Sequence, residues 1–454
     1  MHALGIDVGN LHRIDGMTDN RKTMLGSLHL ENVGPAPKMT MGLGPRLNLI
    51  TGDNGLGKSL LLDAAWRALT GTWPGTWAGK GIVPEQDGAA ISWGTCRGID
   101  GIAAFDFSTS RWTGGSASAA WDTLWANGTR GAIVLYARVD GGISICDPLR
   151  MGERISAPFD HPTFDSITHV FQFRDSDIWD GLELSNVRHS RICEGLVRDV
   201  GRWAGQPDNA DFEQLAAIVE RLAGQEPYRL TRKLQRVYID DARDFPIVDG
   251  PGGEVSVAHS PAGLRRILGL AYLVVWAWRE HRAAAALKRL APTTSMVLLL
   301  DEVESHLHPK WQRTILPSIL RGLAPDASLQ VIATTHSPMV PASVEPVFNT
   351  ETDKLFVLDL ENHVVTLREM PWAMQGDVIN WLVSDTFGLQ QARSLEAERA
   401  IQAAQAWMRG DTASLPRGLA TKEAIHAELA RLLPGHDSFW PRWIVSYERA
   451  VDKA

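Results

Sequence analysis

Cysteine is scarce: Cys96, Cys146 and Cys193 are the three in 454 residues, and none lies in a C-x-x-C pair. Such spacing argues against a disulfide framework or a zinc site and fits a reducing, cytoplasmic setting. Long apolar runs are missing too. The longest, Ile267 to Trp278, is too short to span a bilayer and is ended by Arg279, so no membrane partner is expected. Met1–Arg21 reads as a polar leader rather than a secretory signal. Excess positive charge is absent: 45 Lys and Arg stand against 53 Asp and Glu, a net charge of −8. The whole chain therefore has no general attraction for nucleic acid, although a local basic patch remains open. No internal repeat, low-complexity tail or long heptad array is visible. With 44% apolar and 22% charged residues, the composition is that of a soluble globular protein, and the length suggests two or three folding units.

What is present is organised around Gly52-Asp53-Asn54-Gly55-Leu56-Gly57-Lys58-Ser59, which reads G-x-x-x-x-G-K-S. Arg46–Thr51 predicts a short apolar strand before it, and Leu60–Leu69 an amphipathic helix after it. That is the setting of a triphosphate-binding loop. Glycines let backbone N–H groups turn inward around phosphates, and the helix N-terminus adds a positive dipole end. Asn54, Gly55, Gly57 and Leu60 are the expected backbone cradle for ATP. Lys58 is placed to reach the β- and γ-phosphates, and Ser59 to hold Mg²⁺.

Along the chain, Leu25–Leu30 and Lys38–Gly42 read as further strands. Ala90–Trp93, Ile102–Phe107, Ala132–Val139 and Ile143–Cys146 suggest an antiparallel lobe inserted after the nucleotide-binding helix, with Val170–Phe173 returning to the core. Between 181 and 236 the apolar period becomes helical: Leu182, Val187, Ile192, Leu196 and Val200, then Phe212, Leu215, Ile218, Val219 and Leu222. A hairpin is expected at Phe245–Val248 and Val255–His259, followed by a long helix from Pro261 to Leu290. Pro309–Leu323 reads as a helix with Pro in its first turn. Lys354–Leu360 and His363–Arg368 form a last hairpin, and helices are expected at Val378–Phe387, Ser394–Trp407 and Thr421–Leu433.

Met296–Leu300 is a continuous apolar run, as a parallel strand covered on both faces requires, and it ends in Asp301-Glu302. Downstream of a phosphate loop, that pair suits Asp301 to the Mg²⁺ shell and Glu302 to polarising the attacking water. Leu329–Thr335 is another buried strand and ends at His336, at the sheet edge where ligands of open α/β folds bind. His336 is there a candidate for bonding a γ-phosphate.

These residues resemble a family. Leu300-Asp301-Glu302-Val303-Glu304-Ser305-His306-Leu307-His308-Pro309 is similar to a segment of ABC-type ATPase heads of the SMC, RecF and OLD-like branch, including those of anti-phage systems. Leu268–Trp278 resembles the helix that follows the signature turn of these heads. The likeness covers roughly residues 22–370. It implies an α/β fold: an ABC-ATPase head (P-loop NTPase) with an inserted antiparallel β lobe, a helical lid and a C-terminal helical extension. Together with the chain's own pattern, this gives as expected divisions a leader at 1–21, an N-terminal half of the head at 22–180, a lid at 181–245, a C-terminal half at 246–370 and an extension at 371–454. It also implies two heads sandwiching two ATPs, with the signature turn of one head capping the nucleotide of the other. Here that turn is His259-Ser260-Pro261-Ala262-Gly263. Aligned from Gly263, the family's serine falls on Pro261, which has neither hydroxyl nor N–H; either Ser260 takes over or the turn is weakened. Gln172 corresponds to the glutamine that joins the Mg²⁺ shell.

Three readings follow. One is an ATP-hydrolysing switch subunit of a prokaryotic defence complex, acting with itself as a dimer and with a separate effector such as a nuclease. Another is a repair or recombination ATPase that binds DNA directly. The third, a transporter subunit, fits poorly, since the phosphate loop and Asp301 lie about 240 residues apart and transporter heads are more compact. The missing coiled-coil arms and C-x-x-C hook count against the second.

Overall fold

The computed structural model describes residues 24–74, 87–95, 100–106, 108, 111–114, 131–150, 170–183, 191–224, 226–323, 327–389, 391–411, 413 and 415–449. The expected leader at 1–21, Cys96 and Val187 lie outside them. Two compact units divide the chain, Met1–Trp381 and Leu382–Ala454.

In chain order the first half carries β1 (Leu25–Glu31), β2 (Lys38–Gly42), β3 (Leu47–Gly52), α1 (Lys58–Thr70), β4 (Ala90–Thr95), β5 (Asp100–Asp106), β6 (Arg111–Gly114), β7 (Ile133–Ala137), β8 (Ile143–Cys146), β9 (Val170–Phe173) and α2 (Asp175–Asp180). A short ladder of β10 (Leu182–Glu183) with β11 (Arg191–Cys193) leads into α3 (Leu196–Ala204), α4 (Ala210–Ala223), β12 (Arg229–Arg236), β13 (Asp244–Gly250) and β14 (Gly253–Ser256). Then come α5 (Ala262–Lys288), β15 (Ser295–Leu300), α6 (Pro309–Gln312), α7 (Ile315–Gly322), β16 (Ser328–Thr334), α8 (Met339–Val344), β17 (Asp353–Glu361), β18 (Val364–Met370) and α9 (Val378–Val383).

The central sheet has the order β18-β17-β3-β16-β15-β7-β8-β9. β17, β3, β16, β15 and β7 are mutually parallel, and the outer ladders are antiparallel. Every residue of β15 is buried, as an apolar strand with both faces covered must be. A second, antiparallel sheet has the order β2-β1-β4-β5-β6. One core cluster takes in residues of both sheets together with Leu61, Leu62, Trp66 and Leu69 of α1. The helix that follows the phosphate loop is thus fixed by packing on more than one side.

The inserted lobe is redrawn by this topology. β4, β5 and β6 extend the sheet begun by β1 and β2, whereas β7, β8 and β9 complete the central sheet. Alternation in sequence marks a strand but does not name its partner. The lid is also only partly helical: α4 forms where expected, but Leu182 and Ile192 lie on the paired strands β10 and β11 so that α3 begins only at Leu196, and 229–236 is a strand paired with β13, in which only Leu230 is buried. The expected helix over Pro309–Leu323 is interrupted at Arg313–Thr314. Pro317 supplies the reason, since it has no N–H to donate and sits where only the first turn of a restarted helix tolerates it.

The second unit has its own core. α10 (Leu395–Met408) and α11 (Lys422–Leu432) are capped by Ser394 and Thr421, whose hydroxyls accept from the N–H groups of Ala397 and Ala424, each at 3.2 Å. Ala400, Ile401, Ala404, Ile425 and Leu429 pack with Trp443 of a third helix, α12 (Trp440–Arg449), which the sequence pattern did not reveal.

Candidate functional site

β3 delivers the chain to the phosphate loop. Gly52 has φ +139°, and a Cβ there would stand 2.2 Å from the carbonyl oxygen of Leu358 on β17, so both conformation and space require glycine. The loop ends at Gly57, the left-handed N-cap of α1. Asn54, Gly55 and Ser59 are exposed, Leu60 is half-buried, and the Lys58 side chain turns inward. Its Nζ donates to the carbonyl oxygens of Gly52 (2.7 Å) and Asp53 (2.8 Å). Burial pulls the Lys58 pKa down, while Glu302, Asp301, Asp53 and Glu304 oppose that shift. The ammonium therefore already sits in the field of the carboxylates at the end of β15, two strands away.

Those carboxylates are held from β16. Thr334 Oγ1 donates to Asp301 Oδ1 at 2.8 Å and accepts from the Glu302 N–H at 2.8 Å. Asp301 is buried, and its own N–H bonds the Ala137 carbonyl of β7 at 2.9 Å. Glu302 has φ +46°, a left-handed conformation that a side chain adopts only when its surroundings enforce it. The enforcing bonds are those to Thr334 and the Ser305 N–H to Glu302 carbonyl bond at 2.8 Å. His336 Nε2 lies 3.6 Å from Glu302 Oε1. Asp301, Glu302 and His336 thus meet, with Lys58, at one end of the sheet.

Several residues here carry no local signature of their role. Glu304 Oε1 accepts from the backbone N–H groups of His336 and Ser337. Arg266, on the first turns of α5, reaches the carbonyl oxygens of Arg138 (3.5 Å) and Asp301 (3.4 Å). Burial lowers its pKa, against the fields of Asp301, Glu304, Glu302 and Asp140. Asp63 of α1 accepts from Tyr136 Oη at 3.0 Å. Burial raises its pKa to about 6, the Tyr136 bond lowers it, Asp301 raises it further, and Arg138 lowers it. Thr334 and Glu304 lie within segments singled out in the sequence, but only the fold shows what they touch.

The remaining expected residues fall elsewhere. Gln172 lies on edge strand β9, level with Leu299 through Ser144 and Tyr136, three ladder steps from β15. At ~4.8 Å per step its backbone is about 14 Å from that of β15. Ser260 is buried, and its hydroxyl points at the Ser256 carbonyl at 3.4 Å. Pro261 caps α5 without a side-chain bond, and Pro261 and Ala262 are exposed. Gly263 packs under Trp311: a Cβ there would come within 2.5 Å of the indole.

The donors near the loop suit magnesium. A serine hydroxyl and a carboxylate are hard oxygen ligands, and Mg²⁺ is commonly held by one or two such groups plus phosphates and water. Among the described residues no group of three or more His, Cys, Asp or Glu is placed to hold a metal by protein alone. Cys146 and Cys193 are buried free thiols. Among the described residues no helix is long and apolar enough to cross a membrane.

The parallel strands, the phosphate loop on α1 and the carboxylate pair after β15 have the arrangement of an α/β phosphate-loop nucleotide-binding head. Residues 153–340 match the family described as "AAA domain, putative AbiEii toxin, Type IV TA system". The chain is similar to Septu protein PtuA of Bacillus thuringiensis, 33% identical over 22% of this chain and 24% of that protein. It is also similar to the Retron Ec83 probable ATPase of Escherichia coli, 26% identical over 35% of this chain and 26% of that protein. The chain thus spans about a quarter of the length of these curated relatives. Among solved structures, the SMC head domain from Thermotoga maritima aligns over 77% of this chain and 100% of its own, with 15% identity and a TM-score of 0.34.

Proposed function

We propose that the protein is a Mg²⁺-dependent ATPase, the nucleotide-driven switch subunit of an anti-phage defence complex that acts with a separate effector such as a nuclease. The observation that carries the reading is the meeting of Lys58, Asp301, Glu302 and His336 at one sheet end. The match to the AAA family and the likeness to a Septu protein and a retron ATPase support the defence setting.

On this reading the N–H groups of Asn54, Gly55, Gly57, Lys58, Ser59 and Leu60 cradle the triphosphate of ATP. Lys58 exchanges two backbone carbonyls for the β- and γ-phosphates. Ser59 and Asp301 would hold Mg²⁺, which neutralises developing charge on the phosphates. Glu302 orients a water and draws off its proton as the water oxygen bonds to the γ-phosphorus and the bond to the bridging oxygen of ADP breaks. His336, beside Glu302, donates to the γ-phosphate. Closure of two heads brings the first turn of α5 onto the partner's nucleotide, where the free N–H groups and dipole of a long helix attract anionic oxygens.

Direct DNA binding is the weaker reading. β12 exposes Arg229, Arg232, Lys233 and Arg236, but each is ion-paired, with Glu220, Glu213, Glu254 and Asp244 respectively. A strip neutralised in this way offers little net attraction to phosphates.

The test is ATP turnover with sedimentation. Lys58→Ala should abolish nucleotide binding. Glu302→Gln should bind ATP, slow turnover by at least about a hundredfold and accumulate as a dimer with Mg²⁺-ATP. Turnover by Glu302→Gln at the parent rate would sink the assignment, and a monomer under those conditions would sink the sandwich.

A further inference from the structure

Glu304 is the acidic side chain at this site for which the hydrolytic scheme has no use. It lies two residues past Glu302, in the irregular turn between β15 and α6. Its Oε1 accepts two backbone donors from another element: the N–H of His336, at 2.5 Å, and the N–H of Ser337, at 3.2 Å. Both donors belong to the turn that leaves β16. They continue a seam in which Thr334 Oγ1 accepts from Glu302 N–H and the Thr334 carbonyl accepts from Val303 N–H at 3.1 Å. From Thr334 to Ser337, then, nearly each step of one loop is tied to residues 301–304 of the other. Ser337 Oγ also donates to Gln312 Oε1 at 2.8 Å, and Gln312 Nε2 donates to the Leu307 carbonyl at 3.0 Å.

We infer that Glu304 is a positioning residue: by gripping the amides of His336 and Ser337 it fixes the backbone from which the His336 imidazole reaches Glu302. The inference deepens the ATPase reading above and rests on it for its kinetic consequence, but the grip itself is a property of the protein without nucleotide.

The physical case is one of geometry and charge. A carboxylate oxygen that accepts two N–H groups from consecutive residues restricts both peptide planes, and hence the φ and ψ that aim the side chain between them. Arg266 stands in the field of Glu304, so the half-buried carboxylate lies beside a cation. Among the described residues the imidazole of His336 is otherwise lightly held: Glu302 Oε1 stands 3.6 Å away, beyond hydrogen-bond length. Its aim is therefore set chiefly from its own backbone.

The grip can be separated from the negative charge. Glu304→Gln retains an oxygen that can accept from both amides, Glu304→Ala removes it, and Glu304→Asp shortens the reach by one methylene. Two measurements on the full-length chain test the inference. In nucleotide-free protein, amide hydrogen exchange over 334–339 should quicken at least about tenfold in the Ala variant and stay within about twofold of the parent in the Gln variant. Unchanged exchange in the Ala variant would overturn the grip whatever the protein hydrolyses. In ATP turnover, Glu304→Ala should lower kcat at least about tenfold with KM within about threefold, Gln should restore most of the loss, and Asp should fall between. The Glu304→Ala, His336→Ala double variant should be no slower than His336→Ala alone, because one acts through the other. Additive losses would assign Glu304 to general stability and overturn the inference. A parent protein that hydrolyses no ATP but shows the exchange pattern would refute the ATPase reading and leave the grip standing.

Discussion

Thr334 Oγ1 lies 2.8 Å from Asp301 Oδ1 and 2.8 Å from the backbone nitrogen of Glu302, so one hydroxyl on β16 holds the carboxylate of the first and the backbone of the second at the end of β15. It donates to one and accepts from the chain of the other, and a hydroxyl is a side-chain group able to do both in that space.

Removing that hydroxyl gives the first prediction. Thr334→Val preserves shape but leaves a buried carboxylate oxygen and a backbone N–H unpaired, a loss of about 1–3 kcal/mol for each unsatisfied group. ATP turnover should drop by roughly tenfold or more, and the Mg²⁺ concentration for half-maximal activity should rise, while Thr334→Ser stays near the parent. A magnesium titration of the three proteins is the check; a parent-like curve for Val would show that Asp301 needs no such support.

The turn before α5 yields a second. The Ser260 hydroxyl is buried and its contact with the Ser256 carbonyl is long. Ser260→Ala should therefore alter turnover by less than about threefold, with backbone N–H groups at the start of α5 left to face the partner's nucleotide. Gly263→Ala should be more severe, because its methyl would press on Trp311; overpacking of this sort costs about 1–3 kcal/mol. Thermal melts of the two variants, followed by ATP-induced dimerisation, separate the two effects.

Asp63 sets a pH dependence of stability. Its carboxyl has an ordinary pKa of 3.8 and about 6 in the fold, raised mainly by burial. Between those values the native state keeps a proton that the unfolded chain has lost, so this group's contribution falls as pH rises from about 4 to about 6 and is flat above that. At ~1.4 kcal/mol per pH unit, the full loss is at most about 3 kcal/mol. Asp63→Asn keeps an acceptor for Tyr136 and should melt near the parent at pH 4 but several degrees higher at pH 7. An equal difference at both pH values would mean that Asp63 does not titrate in this range.

The unit from Leu382 has its own core around Trp443, Ile425 and Ile401. A chain ending at residue 381 should stay soluble and bind ATP, and the piece 382–454 should give a helical circular-dichroism spectrum with a cooperative melt. If the shortened chain keeps ATPase activity but no longer protects cells from phage, the unit serves as a docking surface; unaltered protection would exclude that role.

What the sequence by itself determined is what local chemistry dictates. A glycine loop between an apolar strand and a helix, and an apolar run ending in Asp301-Glu302, are set by backbone dihedrals and by a period of hydrophobicity that reads over a few residues. The long helix to Lys288 and the strands at 295–300 and 328–334 follow the same rules, and their bounds agree closely with the expectation, whereas the second strand of the hairpin ends at Ser256 and gives way to a 3-10 turn over Val257–His259. The tertiary structure alone decided partnership. β12 became a strand because β13 offered it a ladder, and β7, β8 and β9 joined the central sheet although their alternation suits an independent lobe equally well. Thr334 reaches the Asp301 carboxylate, Arg266 the Asp301 carbonyl oxygen and Glu304 the His336 N–H, each across 30 or more residues of chain, and nothing in their neighbours in sequence encodes the contact. For Gln172 and Ser260 a position in a motif fixes the place in the chain, whereas strand order and burial fix the surroundings. Long-range pairing is chosen by the packing of the whole sheet, and a window of sequence contains only one side of it.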